Sequence, residues 1–234
     1  INLLVSINLI MFVIKICGKF MSDSEVQFLV SEKQASKRGR GRPKCFDEQD
    51  VLQKAMLIFW EYGYEATSMS DLTKALNLTA PSLYSCFGDK SQLFYACLEY
   101  YLKYEACPIE LIFQQAKTAK IAIELYLYEN LKKLIQQGKP TGCMLVTATM
   151  NCSEEHYSIQ QDLLFKRNAV KSKILTRLEQ GVQDGDLVAT ANLQGMTDYY
   201  ATVIQGLTMQ ARDGVEREQL EQVVTLALKT WQLF

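Results

Sequence analysis

The sequence predicts an all-α chain, on three observations. Apolar residues recur at helical spacing from Gln49 to the end, only four prolines interrupt the 234 residues, and no alternating run of β-branched residues persists. With 48% hydrophobic residues the chain can bury a sizeable core, and its length suits one domain plus a small one. No internal repeat of solenoid length is present.

Residues 1–20 stand apart. "INLLVSINLIMFVIKIC" is apolar but interrupted by Asn2, Ser6 and Asn8, and its seventeen residues are at the short limit for spanning a bilayer. Lys15 near the end of the run and Lys19 after it put the positive charge behind, whereas a secretory signal carries it in front. The segment is expected to be an extension foreign to the working protein, with a membrane anchor as the alternative. Residues 21–44 are polar and read as a mobile arm. The arm ends in "KRGRGRPK", Lys37–Lys44, which places five positive charges in eight residues of a chain whose formal net charge is -1.

From Phe46 the texture becomes helical. Val51, Leu52, Ala55, Ile58, Phe59 and Tyr62 mark a first helix that Gly63 can stop. Ser68 and Asp71 have the spacing of a capping pair, and Leu72, Ala75 and Leu76 give the next helix its apolar side. Asn77 tolerates the left-handed backbone that ends a helix. Thr79 is a cap candidate ahead of Ala80-Pro81, which suits a first helical turn, and Leu83 and Phe87 face inward. Gly88 stops that helix, and Asp89 with Gln92 three residues on starts another. Two helices of about eight residues joined by a tight turn have the layout of a helix-turn-helix.

Longer helices follow. One covers Leu93–Ala106 and stops at Pro108, and another covers Ile121–Ile135 and closes at "QGKPTG". Met144–Met150 is apolar without a clear period. Ser153, with Glu154 and Glu155, marks the start of a long helix carrying Ile159, Leu163, Val170, Ile174 and Leu178. Asn192 is positioned to cap a helix through Leu193, Met196, Tyr200, Val203, Leu207 and Ala211, which Gly214 ends. A last helix from about Arg217 to Leu233 aligns Leu220, Val223, Val224, Ala227, Leu228 and Trp231.

The chemistry-bearing residues exclude several classes. Seven cysteines include no CxxC pair, which argues against a disulfide framework and a cysteine zinc site and favours a reducing cytoplasm. The single histidine, His156, leaves no set for a histidine metal site or a catalytic triad, and no phosphate-loop or nucleophile-elbow motif occurs. A lone cysteine near His156 lacks an orienting partner, so an enzyme is not expected. No metal and no cofactor is expected.

The stretch "LIFWEYGYEATSMSDLTKALNLTAPSLYSCFGDKSQLF" resembles the DNA-binding domain of the TetR/AcrR family of transcriptional regulators. The resemblance covers Phe46 to about Phe94 and rests on Phe59, Gly63, Thr67, Leu72, Leu83-Tyr84, Phe87 and Lys90. "TGCMLVTAT" and "QGLTMQARDG" look like segments of one branch of that family. Asn77 stands where the family's turn usually carries Gly; because Asn tolerates a positive φ, the same fold is expected. The resemblance implies a nine-helix subunit: a three-helix DNA-binding domain over residues 45–92, and a helical ligand-binding and dimerisation domain over 93–234. Such proteins usually repress genes and leave DNA when an inducer binds.

On that reading, Ser82 and Ser85 are small enough to approach base edges or phosphates, with Thr79 beside them at the helix start. Tyr84 can direct its hydroxyl to a phosphate, and Lys90 makes a phosphate contact by analogy with the family. Thr67 and Ser68 can offer hydroxyls and a helix N-terminus to the other strand. The "RGRGRP" core resembles an AT-hook, so Arg40 and Arg42, with Lys44 beside them, are expected at a narrow minor groove. Two reading heads related by a two-fold axis would read a palindromic operator in double-stranded DNA. The faces Leu193–Leu207 and Leu220–Trp231 are expected to pair with a second copy as a four-helix bundle, giving a homodimer. The inducer cavity is expected among Phe113, Tyr126, Tyr128, Met144, Met150, Cys152, His156 and Phe165. Two alternatives remain open at the level of sequence: an electrophile- or redox-sensing regulator using Cys143 or Cys152, and an architectural AT-hook protein.

Overall fold

A computed structural model describes residues 46–150 and 152–234. Residues 1–20, the arm and its Arg40, Arg42 and Lys44 lie outside the described residues. Among the described residues the chain forms ten α-helices and two 3-10 turns, with no strand. That is one α-helix more than the resemblance implies, and the shortest is a single turn.

Helix α1, Glu48–Ala66, begins where the Asp47 carboxylate accepts from the Gln49 amide at 2.9 Å. Val51, Ala55, Phe59 and Trp60 lie on its inward stripe and are buried. Gly63 was expected to end the helix; instead it kinks it at φ 80°, ψ 172°, and one more turn follows to Ala66. The kink lets the Tyr64 amide donate to the Ala148 carbonyl at 2.8 Å. A Cβ on Gly63 would sit 3.2 Å from that oxygen, so both the positive φ and the close approach call for glycine.

Helices α2, Met69–Leu76, and α3, Ala80–Phe87, form the short pair. Asn77 between them adopts φ 53°, ψ 42°, and the Leu78 amide closes the turn on the Thr73 carbonyl at 3.0 Å. Helix α4, Lys90–Tyr104, starts with a full Asp89–Gln92 capping box. Helices α1 to α4 share a core centred on Phe59, Tyr64, Leu72, Leu83 and Phe94, and Met144, Leu145, Ala148, Ile159 and Leu163 from further along the chain complete it. Phe94 meets both Phe59 and Tyr64 edge-on, at 5.2 and 5.1 Å between centroids. Each such fully buried aromatic stabilises this four-helix unit, α1 to α4, hereafter the head, by roughly 1.5–3 kcal/mol.

The body is built from α5, Ile109–Gln115; α6, Ala119–Leu134; α7, Met144–Thr147; α8, Tyr157–Gln183; α9, Leu193–Arg212; and α10, Arg217–Lys229. Helix α5 has no sequence-level counterpart: Pro108 reads as a stop, yet it also serves as the start of this uncapped seven-residue helix. A 3-10 turn at Glu154–His156 delays the start of α8 to Tyr157, and a second at Thr230–Leu233 follows α10. Asn192 caps α9 as expected, accepting from the Gly195 amide at 2.9 Å. A second core joins Ile123, Leu127, Ile174, Leu178, Met196, Tyr200 and Val224. No helix among the described residues is long and apolar enough to cross a membrane.

Candidate nucleic-acid interface and ligand cavity

Helix α3 is anchored on one side and turns a polar side to solvent. Leu83 is buried and holds it in place, while Tyr84 and Ser85 are exposed, Tyr84 by 49%. Thr79 caps it, accepting from the Ser82 amide at 3.3 Å, and the two hydroxyls lie 2.8 Å apart. The Cys86 thiol donates to the Glu48 carboxylate at 2.9 Å and ties α3 to the start of α1. Ser68 is exposed, but its hydroxyl serves the α2 cap: it donates to the Asp71 carboxylate at 2.6 Å and accepts from the Asp71 amide at 3.1 Å. The hydroxyl bond, with a second that the Ser68 amide donates to the same carboxylate at 3.0 Å, holds the Asp71 carboxyl below its ordinary range.

Thr67 corrects an expectation. It is 1% exposed and its hydroxyl donates to the Gly63 carbonyl at 2.7 Å, so it is not a surface donor. The kink at Gly63 leaves that carbonyl without its usual helical partner, and the threonine supplies one. Lys90 places its amine 4.2 Å over the Tyr64 ring, and burial pulls its pKa down.

The expected cavity residues are scattered. A cavity of about 310 Å³ lies between α4, α6, α8 and α9, closed on one side by the segment from Gly142 to Val146. Tyr126 lines it, and Phe113 stands behind Tyr126 with the rings 5.4 Å apart. Met144 is fully buried in the core of the head. Met150 and Tyr128 are exposed, and Phe165 is 74% exposed. The reason for Phe165 is helical phase: Leu163, Arg167, Val170 and Ile174 share the inward stripe of α8, and Phe165, two residues from Leu163, lies nearly opposite.

His156 and Cys152 lie elsewhere for a positional reason. They precede α8 at the end next to the head, away from the turns that border the cavity. There Glu65 of α1 accepts from the Ser153 amide at 2.6 Å and meets His156 Nδ1 at 3.1 Å. The Ser153 bonds, with His156 behind them, hold the Glu65 carboxyl down at about 2. The His156 ring packs edge-on against Tyr64, 4.9 Å between centroids. This junction joins Lys90, Tyr64, Glu65 and His156 in one chain of contacts. Lys90 and His156 lie far in sequence from the Tyr64-Glu65 pair, and no spacing rule links them.

The residues that sequence reasoning missed are the polar lining of the cavity and the tie to the head. Tyr101 donates to the Cys143 sulfur at 3.4 Å, and Arg167 donates to the Leu145 carbonyl at 2.7 Å. The segment from Thr141 to Ala148 is also the seat of the head. The Trp60 indole donates to the Gly142 carbonyl at 3.0 Å, and Tyr64 reaches Ala148 as described. Arg212 of α9 donates to the carbonyls of Trp60 at 3.2 Å and Glu61 at 2.7 Å, which lie just ahead of the kink. One short segment therefore forms both a cavity wall and a support of the head.

Comparison with known proteins fits this geometry. The family profile described as bacterial regulatory proteins, tetR family, matches residues 51–97. The transcriptional repressor ComR of Escherichia coli is 32% identical over 200 residues, covering 85% of this chain and 95% of ComR. The repressor BdcR of the same organism is 29% identical over 196 residues, covering 82% and 91% of the two chains. A solved structure of a cysteine mutant of the TetR family transcriptional regulator CifR, complexed with 26-base-pair double-strand operator DNA, superposes with a TM-score of 0.79 at 35% identity, covering 81% of this chain and 100% of CifR. With its helix-turn-helix head, its helical body and a relative of this similarity along most of its length, the chain belongs to the TetR family of DNA-binding transcriptional regulators.

Proposed function

We propose that the chain is a repressor that holds a palindromic operator as a homodimer and leaves it when a small molecule fills the cavity. The observation that carries this reading is the shared segment: Gly142–Val146 borders the cavity, and its Gly142 and the nearby Ala148 accept from Trp60 and Tyr64 of the head. A ligand that moves this wall shifts the seat of α1 and with it the spacing of the two heads. The coupling such a device needs is on the order of 1–3 kcal/mol, and it is reciprocal, so DNA weakens the ligand by the same factor.

Ser82, Tyr84, Ser85 and the capping residue Thr79 form the proposed contact face of α3, with Ser68 at the start of α2 and Lys90 at the start of α4. Arg40, Arg42 and Lys44 are proposed for the minor groove. The domain division proposed is 45–92 for DNA and 93–234 for ligand and dimer. Most of the apolar stripe of α9 and α10 is buried within the subunit, but Val223 and Leu226 remain exposed and Gly206 faces open space. A glycine in the middle of α9 costs about 1 kcal/mol against alanine, and close approach of a partner helix gives it a purpose.

The electrophile-sensing alternative finds less support. Burial pushes the Cys143 thiol up, which keeps it neutral and a weak nucleophile, and Cys152 lies outside the cavity. The test is selection of bound duplexes from a random pool, followed by fluorescence anisotropy on the selected site. A palindromic preference that Tyr84→Ala weakens is expected. A monomer that binds all duplexes equally would overturn the reading, and binding that needs only residues 37–44 would favour the architectural AT-hook alternative.

A further inference from the structure

We propose that the cavity takes a small organic anion, an apolar body ending in a carboxylate. This rests on the reading of the cavity as the inducer site and names the chemical class of the inducer. Four cationic side chains line the wall: Lys133 of α6, and Arg167, Lys171 and Lys173 of α8. Lys173 is neutralised by Glu110, which also lines the cavity, and Lys171 by Asp198. Lys133 and Arg167 have no carboxylate partner among the described residues. The guanidinium of Arg167 spends one N–H on the Leu145 carbonyl at 2.7 Å and has others to offer.

An unpaired cation beside apolar walls is costly, and an anion delivered by a ligand removes that cost. The planar fork of arginine matches a carboxylate in two parallel hydrogen bonds. Tyr126, Leu134, Ile174 and Ile204 supply the apolar surface for the rest of the molecule. A neutral ligand would leave both charges unsatisfied, and a cationic one would be repelled. The volume of about 310 Å³ suits a compact molecule. The same guanidinium that receives the carboxylate holds Leu145, so the ligand's charge acts directly on the segment that seats the head.

Isothermal titration of the full chain with benzoate against benzamide, and with hexanoate against hexanamide, separates charge from shape. The carboxylates are expected to bind at least about tenfold more tightly than the amides, the scale of a hydrogen bond to a charged group. Arg167→Gln and Lys133→Gln are each expected to remove most of that preference. Lys133→Gln, at a partly exposed site, keeps the test available if the arginine variant does not fold. Amides that bind as well as acids, a preference that survives in both variants, or no saturable binding by either acid would overturn the proposal. If the acids bind as expected but leave duplex affinity unchanged, the anion site stands and the inducer reading falls. If the amides alone bind and release DNA, the inducer reading stands and the anion site falls.

Discussion

Lys90 holds its amine over the Tyr64 ring, so a phosphate would have to draw it off that ring. Lys90→Met is expected to weaken all duplexes about equally and to lower the salt-dependence slope by about one unit, as loss of one phosphate contact does. An unchanged slope in anisotropy titrations would assign the lysine to the head–body junction alone. Glu65 gives a pH prediction. Its folded value of about 2 lies below the ordinary 4.5, so its partners add stability above about 4.5. That contribution is lost as the pH falls from there toward about 2. Asp71, Glu110 and Asp198 are also held low and share this acid limb. Glu65→Gln should therefore reduce, not abolish, the fall in melting temperature on acidification; superimposable curves for the two chains would show that the Ser153 and His156 bonds carry no linkage.

Helices α1 and α9 meet at the segment between α6 and α8, and the energy of that meeting is local. Trp60→Phe keeps an aromatic ring but leaves the Gly142 carbonyl without its donor. Loss of a buried bond of this kind costs about 1–3 kcal/mol, to be read from denaturant unfolding. A loss under about 0.5 kcal/mol, the range of ordinary surface changes, would mean that the indole bond does not hold the head. The short helices were legible at this scale because their ends are set by neighbours in sequence. Ser68, Asn77, Thr79 and Asp89 each act on residues close by in sequence, and each takes the capping or turn position expected of it. Helix α5 was illegible because it has no side-chain cap and only one buried residue, Ile109. The extra turn of α1 was illegible because its cause, the Ala148 carbonyl, lies 84 residues downstream of Tyr64.

At the scale of the whole molecule the outward face of α9 and α10 is the proposed dimer surface. Leu226 is 60% exposed in the subunit, so Leu226→Glu should leave the melting of the isolated subunit nearly unchanged. Across a bundle of two copies it would place unpaired charges in an apolar seam and yield monomers that hold a palindrome poorly. Light scattering coupled to size exclusion reads the outcome; a variant that remains dimeric would move the interface elsewhere. The sequence by itself determined the all-α class, the helix-turn-helix with its caps, and the family, because helical period and capping are local and leave a pattern in one dimension. Only the tertiary structure decided that Thr67 is buried, that His156 braces the head, and that Arg167 and Lys133 face the cavity. Those facts depend on which turn of one helix lies against which turn of another, and contacts between distant segments leave no spacing to read.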